Sequence, residues 1–156
     1  IHTVRGQITK IKATPETSHM SAKICYGGYI SAPRDGAHTV GSTFQKWLNN
    51  SDVSVQDDED NVSKLKQHIK ISLDLEIVGR RASLRTAARD RFPIIGAVDE
   101  GGKVLVSTAH GSHGIVSSLA GAHLLADIIR GGPCSLSKST IGFLRPQRFQ
   151  KTKISC

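Results

Sequence analysis

The alternation of apolar and polar residues predicts several β-strands, most of them in the first two thirds of the chain. Strand-like patterns occur at 4–13, 24–32, 38–44, 76–88, 93–96 and 103–109. The second and third segments flank a turn-forming sequence at 33–36, so we expect them to pair as a hairpin.

Helical spacing predicts three helices. The first begins near residue 57, the second spans 115–129 and the third spans 137–144. The acidic run 57–60 opens the first helix, where carboxylates suit the positive end of the helix dipole and act as caps. The helix at 115–129 is apolar almost all round, which predicts that it is buried, and Gly131 follows it as a stop signal. Strands and helices without regular alternation predict an α+β fold.

The most informative segment for function is the glycine-containing turn at 110–116, between the last predicted strand and the apolar helix. Such a turn presents backbone N–H groups and the positive end of a helix dipole at one place, which suits an anion, a phosphate or an electron-rich cofactor edge. A simple packing turn shows the same pattern. The first amides of a buried helix need an acceptor, which is either a side chain such as Ser112 or a ligand.

Arg85 is the second candidate, since it lies in the predicted strand 76–88 between apolar neighbours. One interpretation is an ion pair with Asp90 or Glu76, or a solvated side chain. The other is a bidentate clamp on a substrate carboxylate. The sequence pattern does not choose between them.

Metal and hydrolase chemistry are not indicated. His110 and His113 are three residues apart, but no Cys, Asp or Glu completes a zinc-binding spacing. Ser112 lies in Gly-Ser-His-Gly, which is not the G-x-S-x-G pattern of a nucleophile elbow.

The chain has 156 residues and a formal net charge of +8, which favours a polyanionic partner, with nucleic acid first among the candidates. Aromatic residues make up only 4% of it, which weighs against a simple RNA-binding module. Three cysteines without a C-x-x-C pair favour a reducing compartment, and we expect the cytoplasm. The longest apolar stretch is too short and too polar to span a membrane. The opening residues have the character of mid-domain sequence and suggest a fragment.

Four stretches, in this order, resemble the FAD-dependent D-amino-acid-oxidase-like family. They are 4–7, then 29–33 with 40–43, then 84–96, and finally 110–116 with the helix after it. Within the family, the Val-Arg-Gly-Gln opening, the Cys25–Tyr29 phrase and the ending 139–148 are similar to the oxidase domain of bifunctional tRNA-modifying enzymes. Asp90-Arg91 stands where members with small substrates show Asp-Gly, which favours the tRNA-modifying branch.

The resemblance implies FAD as cofactor and tRNA as substrate. Arg85 would hold the carboxylate of a carboxymethylaminomethyl group on the wobble uridine, and Tyr29 would line the same pocket. Hydride transfer from the glycine-like carbon to the flavin, then imine hydrolysis, would release glyoxylate and leave an aminomethyl group. Orientation by Arg85 would be the main contribution of the protein.

The resemblance also implies a cofactor-binding set, in which the turn contacts the flavin ring mainly through its backbone. Its members are Gly111, Ser112, His113, Gly114, Ile115 and Val116, with Arg5 and Gln7 near the cofactor.

For domain organisation, the resemblance implies a substrate-binding sheet region with one helix over 1–90, and a C-terminal segment completing an FAD-binding domain over 91–156. No G-x-G-x-x-G motif is present. The N-terminal half of the FAD domain, and a methyltransferase domain like that of the bifunctional relatives, would therefore be further parts. The alternatives are a fragment of a free glycine or D-amino-acid oxidase, and a basic RNA-binding module without redox activity.

Overall fold

The computed structural model describes residues 1–69 and 75–150, and these residues contain both strands and helices. The strands are β1 (His2–Lys12), β2 (Ile24–Cys25), β3 (Tyr29–Ile30), β4 (Ala37–Gly41), β5 (Gln45–Lys46), β6 (Ile77–Ala87), β7 (Ile94–Ala97) and β8 (Leu105–Thr108). The helices are α1 (Val55–His68), α2 (Gly114–Arg130), α3 (Lys138–Leu144) and a 3₁₀ helix (Pro146–Phe149). The predicted α+β fold is confirmed.

The chain divides into two compact units. The sheet unit comprises Val4–Leu84, and the C-terminal unit comprises Ile1–Thr3 together with Arg85–Cys156. Each unit has a hydrophobic core built from its own elements.

The sheet unit is an antiparallel sheet covered by α1. Its strands follow the order β2-β3-β4-β1-β5, and β6 also pairs with β1. The predicted hairpin is present, since Ile30 faces Val40 across β3 and β4. Ile11, Ile30 and Val40 pack with Leu65 of α1 to form the apolar core.

The segment predicted as one strand over 24–32 is instead divided in two by a tight turn. Gly27 has a φ of +96°, and the Tyr26 amide donates to the Gly28 carbonyl at 3.0 Å. A Cβ built on Gly28 would lie 2.9 Å from the Gly41 carbonyl oxygen, so this turn approaches β4 too closely for a side chain. The alternating pattern could not reveal this approach, because Gly41 is distant in sequence.

The acidic start of α1 also differs from its prediction. Asp57 and Asp58 are 1% and 0% exposed, so they are not solvated caps. The N-cap residue, Ser54, makes no side-chain cap hydrogen bond either. The two carboxylates are buried because they pair with arginines of the sheet, as described below.

The C-terminal unit places α2 and α3 against the β7–β8 hairpin. Ile95, Leu124 and Leu144 form its main buried cluster. A Cβ built on Gly121 would lie 2.9 Å from Cδ1 of Ile95, so a glycine at this position allows α2 to pack closely on β7. The predicted helix stop is confirmed, since Gly131 forms the C-cap with a φ of +64°.

The prediction that α2 is buried is only half right. Gly121 and Leu124 are buried on one face. On another face, Ile115, Leu119 and Ile129 are 89%, 68% and 73% exposed. Their spacing of i, i+4 and i+14 puts them on one stripe of the helix. The helix therefore has two apolar faces, and the C-terminal unit covers one of them.

Candidate functional site

The glycine turn begins where β8 ends, and two residues with left-handed backbone shape it. Ala109 and Gly111 have φ values of +58° and +57°. The Gly111 amide donates to the Thr86 carbonyl at 3.0 Å, and His110 forms an isolated β-bridge with Ala87. The turn is thus attached to the end of β6, directly after Arg85. Two clusters that were predicted separately are neighbours in the C-terminal unit.

The first amides of α2 are open. Val116 and Ser117 donate to the His113 carbonyl at 3.2 and 3.0 Å. No residue in the described ranges accepts from the amides of Gly114 or Ile115. The N-cap residue makes no side-chain cap, and the first turn contains no acidic residue. These amides and the dipole of a 17-residue helix make an electropositive position that suits an anionic or electron-rich group.

From the sequence, the acceptor for the first amides of α2 was expected to be either the Ser112 side chain or a ligand. The structure does not contain that cap, since no side chain of the N-cap residue or its neighbours bonds to the first-turn amides. Ser112 and His113 are exposed, so the turn presents backbone rather than side-chain donors.

His110 connects β8 to the first turn of α2 through two hydroxyl groups. Its Nε2 lies 3.0 Å from the Ser107 hydroxyl, and its Nδ1 lies 2.8 Å from the Ser117 hydroxyl. The Ser117 hydroxyl donates to the His113 carbonyl at 2.9 Å, so it must accept from Nδ1. Neutral His110 therefore carries its proton on Nδ1 and accepts from Ser107 at Nε2.

Arg85 is partly buried at the end of β6, and its Nη1 atom is shielded from solvent. The two acids that the sequence offered as partners are engaged elsewhere. Glu76 accepts from Lys12 at 2.8 Å. Asp90 holds Arg148 with two hydrogen bonds, at 2.7 and 3.1 Å.

The Asp90–Arg148 pair is a structural link that the sequence did not predict. The Arg148 guanidinium, by hydrogen bonding, holds the pKa of Asp90 below its ordinary value. Arg148 also donates to the carbonyls of Phe92 and Leu144, at 2.9 and 2.8 Å. One side chain thereby joins the loop after β6 to the end of α3.

Arg5 and Gln7 lie in the sheet unit, inside a buried polar network. They are 3% and 0% exposed. Arg5 forms an ion pair with Asp57 at 2.5 Å and donates to Gln45 and to the Asp52 carbonyl. Gln7 donates to Asp58 at 2.9 Å and accepts from the Ser54 amide at 2.8 Å. That these residues contact a cofactor stays a prediction; their side chains already hold the start of α1.

The network continues along β1 and α1. Asp58 also accepts from Thr9 at 2.7 Å and forms an ion pair with Arg80 at 2.7 Å. Asn61 donates to the Gln7 carbonyl at 3.0 Å. Arg5, Gln7 and Thr9, which are alternate residues of β1, therefore all bond to the first two turns of α1. Only the i, i+2 spacing of polar residues in β1 could have suggested this match from sequence.

Tyr29 lies in the sheet unit on β3, partly buried, opposite Cys25 and Gly41. Its ring has the Lys23 ammonium 3.9 Å from the centroid. The Tyr26 hydroxyl donates to the Tyr29 carbonyl at 3.3 Å. Burial raises the pKa of the neighbouring Tyr26.

The described part of the chain contains no group of three His, Cys, Asp or Glu residues able to hold a metal ion. Within residues 1–69 and 75–150, none of the helices combines the length and hydrophobicity that crossing a bilayer requires. What the C-terminal unit offers is binding chemistry, namely open amides, a helix dipole and a nearby guanidinium.

Comparison with known proteins gives a family and a fold. The profile of the FAD dependent oxidoreductase family (DAO) matches residues 1–128. Among curated proteins, the chain is 31% identical to the tRNA 5-methylaminomethyl-2-thiouridine biosynthesis bifunctional protein MnmC of Campylobacter fetus, which it covers to 29% with 99% of its own length. It is also 31% identical to the protein of the same name from Idiomarina loihiensis, with 96% of the chain covering 25% of that protein.

Among solved structures, glycine oxidase from Geobacillus kaustophilus is similar with a TM-score of 0.78 at 20% identity. The similarity covers 92% of this chain and 39% of the oxidase. The chain thus spans less than a third of the curated relatives and about two fifths of a structural neighbour.

Proposed function

The chain belongs to the FAD dependent oxidoreductase family, and from that premise we propose that it is part of a flavoenzyme acting on tRNA. The reaction would remove the carboxymethyl group from carboxymethylaminomethyl-uridine at the wobble position. The names of the relatives from Campylobacter fetus and Idiomarina loihiensis support a role in tRNA 5-methylaminomethyl-2-thiouridine biosynthesis. Because we propose tRNA as the substrate, we also propose that the protein acts in the cytoplasm.

One observation carries this proposal: the amides of Gly114 and Ile115 are open at the start of a helix that has no acidic residue in its first turn. This position fits the electron-rich edge of a flavin ring. The residues that would hold the ring are those of the turn, from Gly111 through Ser112 and His113 to Val116. When bound, FAD supplies the acceptor for a hydride.

The task of Arg85 is to bind and orient. A guanidinium that is partly buried at the end of β6 matches a carboxylate with two parallel hydrogen bonds. Holding the carboxylate fixes the adjacent C–H bond, so positioning replaces acid–base catalysis as the contribution of the protein. Tyr29 is the second residue that we propose for substrate binding.

Arg5 and Gln7 complete the proposed cofactor set. Because their polar atoms hold α1, we propose that they act by fixing β1 rather than by reaching a ligand with their side chains.

The proposed domain assignment is a substrate-binding sheet region over 1–90 and a completing segment of an FAD-binding domain over 91–156. The exposed stripe of Ile115, Leu119 and Ile129 supports it, since an apolar helix face of this kind requires a covering structure. We propose that the rest of the FAD domain, which the matched relatives are long enough to contain, covers it. A methyltransferase domain would be a further part, as in bifunctional relatives.

The test uses the protein as its natural gene produces it, with tRNA that bears the carboxymethylaminomethyl group. We expect flavin absorbance in the purified protein, its bleaching on addition of this tRNA, and release of glyoxylate. Glycine is the control substrate. Oxidation of glycine but not of tRNA would show a free amino-acid oxidase. A protein that binds tRNA without any flavin would show an RNA-binding module.

Arg85→Lys tests the clamp within the same assay. A lysine keeps the charge but loses the two-pronged geometry, so we expect KM for the modified tRNA to rise about 10- to 100-fold, corresponding to about 1.5–3 kcal/mol. Flavin content should not change. Arg81→Lys, at an exposed arginine earlier on β6, is the matched control. Equal kinetics for the two variants would contradict the role of Arg85.

A further inference from the structure

An open groove in the C-terminal unit, with a volume of about 430 Å³, lies outside the proposed flavin site. It is lined by Asp90, Ser139, Gly142, Phe143 and Arg148. We call it the aromatic groove, because Phe143 lines it and two further phenylalanine rings contact its lining residues. It is formed by the loop after β6, by α3 and by the 3₁₀ helix.

The two charged residues that line the aromatic groove, Asp90 and Arg148, neutralise each other. Arg148 is held by the carboxylate of Asp90 and by three backbone carbonyls, those of Phe92, Leu144 and Arg145. Its side chain is 9% exposed. The single acid of the groove is thus neutralised, and the guanidinium has a structural task rather than a free charge.

Phe143 lines this groove, and the rings of Phe92 and Phe149 lie against its lining residues Phe143 and Arg148. Phe92, Phe143 and Phe149 are 48%, 59% and 46% exposed. The rings of Phe92 and Phe143 have centroids 5.6 Å apart. The ring of Phe149 lies 4.3 Å from the Arg148 guanidinium carbon. Exposed aromatic faces grouped in this way are suited to stacking with flat rings.

Four exposed cations, which we call the rim, are close in sequence to the residues that line the aromatic groove. Arg89 and Arg91 flank Asp90, Lys138 begins α3, and Arg145 follows it; all four are exposed. Among the described residues, none of these four side chains has an ion-pair partner. Four exposed cations together with three exposed aromatic rings would not suit an apolar peptide. They match a ligand with flat bases and a phosphate backbone.

We propose that the aromatic groove binds an unpaired stretch of RNA, with bases stacked on Phe92 and Phe143 and phosphates held by Arg91 and Arg145. In identifying this RNA as tRNA, the inference rests on the proposed function. Unpaired nucleotides are favoured over duplex RNA, because only splayed bases offer their faces to aromatic side chains. The groove is then a docking surface for the loop that carries the modified nucleotide.

The first experiment measures fluorescence anisotropy of the protein with a labelled anticodon stem-loop RNA. Phe92→Ala and Phe143→Ala should each weaken binding by about 5- to 150-fold. Phe44→Ala is the matched control, since Phe44 is 58% exposed in the sheet unit. Circular dichroism checks that all three variants fold. Unchanged affinity of both groove variants would overturn the proposal, as would equal affinity for a blunt RNA duplex.

The second experiment concerns the rim. The association constant falls with salt, and Arg91→Gln and Arg145→Gln should each make the slope of log K against log salt less steep by about 0.7. Lys103→Gln, exposed elsewhere in the same unit, should leave it unchanged. Equal slopes for all three variants would contradict the phosphate contacts.

These binding assays separate the failure of this inference from that of the proposed function. Stem-loop binding that depends on the groove phenylalanines, in a protein without flavin, would support the groove and reject the oxidase. Glyoxylate release by a protein whose RNA affinity is unchanged in both phenylalanine variants would support the oxidase and reject the groove.

Discussion

A single imidazole links the end of β8 to the start of α2. His110 accepts from Ser107 and donates to Ser117, whose hydroxyl continues to the His113 carbonyl. Because each hydroxyl can donate only one proton, all three hydrogen bonds run from Ser107 through His110 and Ser117 to the His113 carbonyl. Because the open amides of the turn follow directly, this bridge fixes the place to which they point.

We expect nitrogen NMR to show the proton of neutral His110 on Nδ1. Replacement by phenylalanine removes two hydrogen bonds, so His110→Phe should lower the free energy of unfolding by about 1–3 kcal/mol. The control is His113→Phe, because His113 is exposed and its ring makes no hydrogen bond in the described structure. A proton on Nε2 would contradict the bridge.

The pair of Asp90 and Arg148 makes a prediction about pH. The folded-state pKa of Asp90 is lowered, chiefly by the Arg148 hydrogen bond, so the pair stabilises the protein above the unfolded pKa near 4. That stability is lost as pH falls through the folded pKa. The Asp90 side chain is 34% exposed and solvent screens it, so Asp90→Asn should cost only about 1 kcal/mol at pH 7.

Urea unfolding of the wild type and of Asp90→Asn between pH 7 and pH 3 would measure this difference. The two curves should converge at the acidic end. Asp35→Asn is the control, because Asp35 lies 3.9 Å from Arg34 and both side chains are almost fully exposed. A difference that grows towards acid pH would contradict the assignment.

Among the elements, β1 and α1 meet through buried polar and charged groups as well as through apolar packing. Arg5, Gln7 and Thr9 face the helix where a sheet usually presents hydrophobic residues, and only Ile11 does so here. Burying these groups is tolerable because each finds a partner on α1 or near its start.

Arg5→Met should be strongly destabilising, because it leaves the Asp57 carboxylate buried without its cation. We expect a loss of about 3–5 kcal/mol in the free energy of unfolding. The double variant Arg5→Met with Asp57→Leu should recover much of that loss, since no charge then remains buried. Chemical denaturation of the two variants decides. A single variant no less stable than the double one would contradict this account.

The positions of most elements could be predicted from the sequence, because strand alternation and helical spacing are local signals. β1, β6, α1, α2 and α3 lie within a few residues of their expected bounds. The break between β2 and β3 could not be predicted, since it depends on contact with Gly41. The burial of Asp57 and Asp58 depends on arginines about fifty and twenty residues away, which a helix-capping rule does not consider.

On the scale of the whole molecule, α2 carries more apolar surface than the C-terminal unit covers. An exposed apolar stripe promotes self-association when nothing covers it. The 156-residue chain by itself should therefore form oligomers at micromolar concentration, and Leu119→Gln with Ile129→Gln should reduce them. Sedimentation velocity measures the monomer fraction.

The control for this prediction is Val104→Gln with Val98→Gln, two exposed valines near the β7–β8 hairpin. If the control raises the monomer fraction as much as the α2 variant, the stripe is not the cause. In the natural gene product, where we propose that the rest of the FAD domain covers this stripe, the α2 variant should instead lower flavin content.

For the candidate site, the sequence predicted the pieces but not all of their surroundings. The glycine turn and Arg85 are local motifs, and the structure shows that Gly111 bonds to the residue after Arg85. His110 was considered only as a metal ligand, because its hydroxyl partners become visible only once the turn is folded. Arg5 and Gln7 matched a family motif, yet their burial under α1 is a long-range property that no short motif encodes.

The Arg5–Asp57 pair also limits how this sheet can change over generations. A substitution at either position alone leaves the other charge buried without a partner, and selection would remove such a destabilised variant. Neutral drift at this place therefore requires two coupled substitutions, and we expect the two positions to vary together among orthologous chains while the solvent-facing residues of β1 vary independently.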